Sequence, residues 1–216
     1  MEQKTLNGEK EVEFMRFVSV YETDQEILNA INQIYLDGIG FSLDPTYSKG
    51  NIYGEGQRPN LKYDLVPQTN DTKKSDCRKL PLKDNNEMSI VFDPPFLFRN
   101  RKSVNNDIMC SRFSYFKTFD DLKKMYSKSL VEFYRILQEY GILIFKCQDM
   151  TDNRFYDTHN WIIQKAREIG FELKDIFILV KKNKIIPKAK KQNCSRKVHS
   201  YYLVLKKGKG LSFTSD

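Results

Sequence analysis

The run Ser89-Ile90-Val91-Phe92 breaks at Asp93-Pro94-Pro95-Phe96, and no other stretch limits the chain so tightly. A short run without polar alternation describes a strand buried on both faces, as in a parallel sheet. Two prolines then fix the backbone and remove two donors, so the strand stops and turns outward. That end offers acceptors, the Asp93 carboxylate and the carbonyls beside it, next to the flat face of Phe96. A planar ring with an exocyclic NH2 matches such a set. Asp93 and the Pro94 carbonyl could each accept one amine hydrogen while the ring stacks on Phe96. The plain alternative is an Asp-Pro turn closing an ordinary α/β strand.

The surrounding chain repeats the theme. A helix begins at Thr23 or Asp24, keeps Ile27, Leu28, Ile31, Ile34 and Tyr35 on one face, and ends at Gly38. A strand from Ile39 to Leu43 runs into Asp44-Pro45-Thr46-Tyr47-Ser48-Lys49-Gly50-Asn51. Ser, Gly and Asn in that turn can offer backbone N–H groups to an anion, and Asp44 can hold an ammonium group. A short strand, Leu61 to Val66, and a polar stretch, Gln68 to Lys74, lead to Asp76 just ahead of Leu80-Pro81. Asp44, Asp76 and Asp93 thus stand at or just after strand ends, which in a parallel sheet line one crevice.

Beyond it, residues 97–117 lack periodicity and read as a substrate-facing loop or a partly disordered surface loop. Arg99, Arg101, Lys102 and Arg112 suit phosphate there, and Phe113, Tyr115 and Phe116 suit bases. Thr118 caps a helix predicted over Phe119–Tyr140 and closed by Gly141. A buried strand, Ile142–Cys147, ends in Lys146-Cys147-Gln148-Asp149 with polar groups again at the crevice end, and a helix over His159–Ile169, closed by Gly170, packs Trp161 and Ile162 on the sheet. Phe171–Lys181 and Val198–Lys206 have no helix between them, so they pair antiparallel. Residues 208–216 read as a frayed tail.

A length of 216 residues predicts a single α/β domain over 1–216. A hydrophobic fraction of 40% supports a core, and 30% charged residues argue against a membrane protein. The polar start, Met1 to Lys10, lacks the apolar segment of a secretion signal, which points to the cytoplasm. Cys77, Cys110, Cys147 and Cys194 form no Cys-x-x-Cys pair and only His159 and His199 could join them, so reduced thiols and no metal are expected. The formal net charge of +8 equals the charge of one strip, residues 181–197. It comprises Lys181, Lys182, Lys184, Lys188, Lys190, Lys191, Arg196 and Lys197 with no acid, so the remainder is neutral. Such a strip suits a polyanion, because each neutralised phosphate releases counterions; a solvated loop is the other reading.

In order, Asp44-Pro45-Thr46-Tyr47-Ser48-Lys49-Gly50, Asp76-x-x-x-Leu80-Pro81 and Asp93-Pro94-Pro95-Phe96 resemble the class I S-adenosylmethionine-dependent methyltransferases. The last element is similar to the catalytic motif of their amino-methylating branch. Gly141 to Asp149 and Arg196 to Leu205 resemble later strands of small phage-type DNA methyltransferases, so the likeness covers about residues 23–207. It implies a three-layer Rossmann-like sheet of about seven strands, the last antiparallel. It also implies that Asp44, Pro45, Thr46, Tyr47, Ser48 and Gly50 hold the methionine end of the cofactor. Asp64 would reach the ribose, and Asp76, with Cys77 beside it, would accept from the cofactor adenine amine. Asp93, Pro94, Pro95 and Phe96 would hold the target base, with residues 97–117 and 181–197 against nucleic acid. The leading reading is adenine N6 in DNA, then cytosine N4; RNA or a protein lysine is the next acceptor, and a non-catalytic nucleic-acid binder the other class. The oligomeric state stays open.

Overall fold

A computed structural model of the chain describes residues 16–98, 116–152, 154–181, 194–195 and 197–208. The expectations for Arg99, Arg101, Lys102, Cys110, Arg112, Phe113, Tyr115, Lys182, Lys184, Lys188, Lys190, Lys191 and Arg196 lie outside the described residues.

The strands are β1 (Val20–Tyr21), β2 (Leu43–Asp44), β3 (Leu61–Asp64), β4 (Lys73–Lys74), β5 (Glu87–Phe92), β6 (Leu137–Cys147), β7 (Met150–Thr151), β8 (Phe155–Tyr156), β9 (Phe171–Val180) and β10 (His199–Lys207). Helix α1 (Asp24–Tyr35) follows β1, α2 (Phe119–Ile136) precedes β6, and α3 (Thr158–Ile169) precedes β9. Eight strands form one sheet in the order β1-β9-β10-β6-β5-β2-β3-β4, and β7 and β8 form a separate hairpin. Every neighbouring pair is parallel except those of β10, which runs antiparallel to both β6 and β9. This is the expected Rossmann-like, mostly parallel sheet with an antiparallel last strand; the two-residue β1 brings the strands to eight where about seven were expected.

Alternation sorts the apolar strands into two layers. Ile90, Phe92, Leu143, Phe145 and Cys147 pack with α2 and α3, whereas Val91, Ile142 and Ile144 pack with α1. An unbroken apolar run is what burial on both faces requires. The rings of Phe133 and Phe145 meet Phe92 edge-on at 4.7 and 4.8 Å, fixing the last residue before Asp93. At the start of α1, Thr23 Oγ1 accepts from Glu26 N and Thr23 N donates to Glu26 Oε2, a capping box worth about 1 kcal/mol.

Two predicted boundaries move. The strand predicted over Ile39–Leu43 pairs only at Leu43–Asp44, because Ser42 and Ser89 satisfy each other's backbone with their hydroxyls at 2.6–3.0 Å. The helix predicted to reach Tyr140 ends at Ile136, and Gly141 lies inside β6. Its final carbonyls are claimed from outside: Asn85 N and Asn86 N bond Arg135 O and Ile136 O, and Lys207 Nζ bonds Tyr134 O and Leu137 O. Leu137 therefore turns extended, and the ladder to β5 slips between Glu87 and Ser89 with Tyr140 at φ 64°. Sequence reading also missed β4 and the β7–β8 hairpin.

Candidate active site at the carboxyl ends of the strands

β2, β3, β5 and β6 run parallel, so Asp44, Asp64, Asp93 and Lys146 come to one edge of the sheet. Asp93 follows β5 directly, and Phe92 pairs with Phe145, which sets Lys146 level with Asp93. Lys146 Nζ lies 3.0 Å from Asp93 Oδ2 and 2.8 Å from Asp24 Oδ1 at the start of α1. Tyr202, the cross-strand partner of Lys146 on β10, donates to Asp24 Oδ1 at 2.5 Å and lies with its ring 5.5 Å from Nζ. Lys181 Nζ stands 3.5 Å from Asp24 Oδ2. Lys146 is only 6% exposed; burial pushes its ammonium down, but Asp93 and Asp24 more than offset that, so the net direction is up. For Asp24, burial pushes up, and Lys146, Tyr202 and Lys181 overcome it, leaving the carboxyl below its ordinary range.

Thr46 ties the ends of β2 and β5: its Oγ1 lies 3.3 Å from Asp44 Oδ1 and accepts from Asp93 N at 3.1 Å. Asp44 also accepts from Thr46 N and Tyr53 Oη, each at 2.8 Å. It is 1% exposed, and burial pushes its carboxyl up to about 7 against those hydrogen bonds. Asp44 is thus an internal acceptor rather than an open carboxylate waiting for an ammonium group. The loop after β2 also differs from the expected anion cradle. The N–H groups of Thr46, Tyr47, Ser48 and Gly50 bond Asp44, Tyr63 O, Asp64 and Tyr47 O within the chain. Gly50, at φ 67°, is required by packing, since a Cβ there would stand 2.4 Å from the Tyr47 ring and 2.5 Å from Arg58 Nη1.

Asp64, half-buried at the end of β3, accepts from Ser48 N and Val66 N at 2.8 Å, which turns the chain before Pro67. Asp76, after β4, is paired with Arg78, whose hydrogen bonds hold its carboxyl below the ordinary range. Burial pushes the Cys77 thiol up to about 11 as its Sγ meets Ser129 Oγ at 3.4 Å, a packed thiol rather than a nucleophile. In the turn after Asp93, Pro94 is buried, Pro95 and Phe96 are half-buried, and Tyr126 Oη on α2 donates to Pro95 O at 3.0 Å. Of the basic strip, Lys181 reaches Asp24, while Lys197 donates to Ser195 Oγ and lies over the Phe155 ring at 5.1 Å.

Sequence reasoning set Lys146 among the polar groups at the crevice end but gave it no partner, and it missed Asp24, Tyr126 and Tyr202 as members of this edge. The available signal was one lysine in the otherwise apolar run Gly141-Ile142-Leu143-Ile144-Phe145-Lys146-Cys147, where an unpaired cation is too costly to bury. It also missed that both histidines meet Tyr201 and that His159 bonds Asp149. His159 Nδ1 lies 2.8 Å from the buried Asp149 carboxylate, its ring stacks on Tyr201 at 4.4 Å, and His199 Nε2 lies 3.1 Å from Tyr201 Oη. Among the described residues no group of three His, Cys, Asp or Glu side chains is placed to hold a metal ion, and no helix is long and apolar enough to cross a membrane.

No protein-family model matches the chain, and no curated protein matches it. Among solved structures it is similar to a provisionally assigned DNA modification methylase of Thermus thermophilus, with 18% identity and a TM-score of 0.43 over 63% of this chain and 52% of the other. The same protein complexed with S-adenosyl-L-methionine gives 16% identity and a TM-score of 0.43 over 63% of this chain and 54% of the other. The chain therefore spans about half the length of those structures. A provisionally assigned Haloferax volcanii methyltransferase, in complex with the Trm112 activator, gives 13% identity and a TM-score of 0.49 over 77% and 81%.

Proposed function

We propose that this chain transfers a methyl group from S-adenosyl-L-methionine to an exocyclic amine of a nucleic-acid base, adenine N6 in DNA before cytosine N4. The observation that carries the reading is Asp93 at the end of β5, anchored through its N–H by Thr46 and through Oδ2 by Lys146, with Pro94, Pro95 and Phe96 turning away from it. The bonds that Asp93 makes among the described residues engage Oδ2 and leave Oδ1 as the acceptor.

The donor and acceptor set at the edge fits the cofactor. Asp64 and Asp76 are partly exposed carboxylates whose oxygens keep lone pairs beyond those already used, as ribose hydroxyls and an adenine amine require. Asp44, Pro45, Thr46, Tyr47, Ser48 and Gly50 form the loop between them and Asp93. Cys77 adds apolar surface, and the loop's own N–H bonds make it a rigid wall. When bound, the cofactor supplies an activated methyl.

The chain's share is position and electrostatics. Asp93 Oδ1 and the Pro94 carbonyl accept the two amine hydrogens, which turns the nitrogen lone pair out of conjugation with the ring, while Phe96 holds the ring. Inside a duplex the base must first be flipped out, at a cost of a few kcal/mol. Residues 97–117 and the strip 181–197 supply contacts that offset it.

The test is transfer of an isotopically labelled methyl to unmethylated DNA and, in parallel, to RNA, followed by nucleoside mass spectrometry. Labelled N6-methyladenine in DNA is expected. Label only in RNA or only in cofactor-treated protein would move the assignment to that acceptor, and no label anywhere with cofactor bound would leave a silent binder.

A further inference from the structure

We propose that Lys146 is the positioning residue of the Asp93 site, spanning Asp24 and Asp93 so that the carboxylate receiving the amine is held in place and aimed; this rests on the methyl-transfer reading above.

The geometry is specific. β6 alternates, so Ile144 and Lys146 share the face covered by α1, and Lys146 crosses the top of that layer toward the first turn of α1. Its ammonium ends between two carboxylates from different elements, 2.8 Å from Asp24 and 3.0 Å from Asp93. Tyr202 donates to the same Asp24 oxygen that Lys146 meets, which keeps that carboxylate in place beside the cation. Neither carboxylate belongs to β6, so the arrangement exists only when α1, β5, β6 and β10 are assembled.

The charged and titratable groups facing the cluster come from every element packed there. They are Asp24 on α1, Asp44 on β2, Tyr53 after β2, Asp93 after β5, Tyr126 on α2, Lys181 after β9 and Tyr202 on β10. Asp44, pushed up to about 7, bears only part of a charge near neutral pH. Lys146 and Lys181 then stand against Asp24 and Asp93, a balanced set in which removing the one buried cation leaves two close carboxylates opposed.

Opposite signs make the test selective. In Lys146→Met, kcat should fall about 10- to 100-fold with KM for S-adenosylmethionine changed less than about twofold, and the acid limb of the kcat–pH profile should move up. Lys146→Arg should restore the limb and part of kcat, since the charge returns with a different reach. In Asp24→Asn, where Lys146 has Asp93 alone, the limb should move down. Unchanged kcat and limb in Lys146→Met, or a limb unmoved in Asp24→Asn, overturns the proposal; if Lys146→Met does not fold, Asp24→Asn decides.

A readout independent of turnover separates this from the reaction itself. Carboxyl carbon NMR of the cofactor-free protein should show the Asp24 titration climbing in Lys146→Met, because its strongest cation is gone. A wild-type protein that transfers no methyl but shows this climb would refute the proposed function and leave the coupling standing. An Asp24 titration that ignores Lys146 overturns the inference whatever the activity.

Discussion

Two lysines, each 6% exposed, sit at opposite ends of the same sheet and meet opposite environments. Lys207, at the end of β10, donates to Asn85 Oδ1, Tyr134 O and Leu137 O at 2.6–2.7 Å, so its partners are dipoles. Burial pushes that ammonium down, and the more distant Glu139 and Asp84 offset only part of it. Lys146 meets two carboxylates, and its ammonium is held up. A lysine that closes a helix end on carbonyls serves the fold. A lysine set between carboxylates from two different elements, beside an Asp-Pro-Pro-Phe turn, ties the start of α1 to the end of β5 and, under the proposed function, positions the amine acceptor.

Asp93→Ala should lower methyl transfer by about 100- to 1,000-fold or more while cofactor binding, read by calorimetry, and the urea midpoint stay close to wild type. Retained transfer would remove Asp93 from its assigned role. At the other end, Lys207→Met should cost about 3 kcal/mol of unfolding free energy in urea denaturation, because buried acceptors lose a charged donor. Its kcat per folded molecule should be unchanged. A large loss of kcat would merge the two ends into one functional unit.

Asp44 supplies a smaller, pH-dependent effect. Its folded carboxyl titrates at about 7, above the unfolded value of 3.8, so the folded state keeps a proton that the unfolded chain releases between them. Its contribution is therefore fully present below pH 3.8 and is lost as pH rises through about 7. The slope reaches about 1.4 kcal/mol per pH unit. Asp44→Asn should flatten that decline in urea midpoints collected across the window; a parallel decline would assign it to another group. Smallest is replacement of Lys188, Lys190 and Lys191 by Gln, expected to reduce the slope of log affinity against log salt by about one per lysine that contacts phosphate. An unchanged slope would return the strip to a solvated loop.

The fold was legible where local rules and burial agree. Thr23 and Thr118 cap the helices they were expected to cap, and the apolar runs ending at Phe92 and Cys147 are adjacent parallel strands. Legibility failed where a distant group overruled a local preference. The Phe119 helix stops at Ile136 because residues 85, 86 and 207 take its last carbonyls, which no periodicity within the helix reveals. β2 is short because two serines 47 positions apart bond each other's backbone.

The site divides in the same way. By itself the sequence determined that an acid, two prolines and an aromatic follow a strand buried on both faces, because φ restriction and the loss of two donors are covalent properties of the chain. It also determined that acids stand at or just after other strand ends. Only the tertiary structure decided which acids are open and which are spoken for. Asp44 is internal because Tyr53 and Thr46 close over it, and Asp93 is paired because β6 carries Lys146 to its level. Charge pairing acts through space and falls off within a few ångströms, so residues 24, 93, 146 and 202 become one site only when the sheet and α1 bring them together.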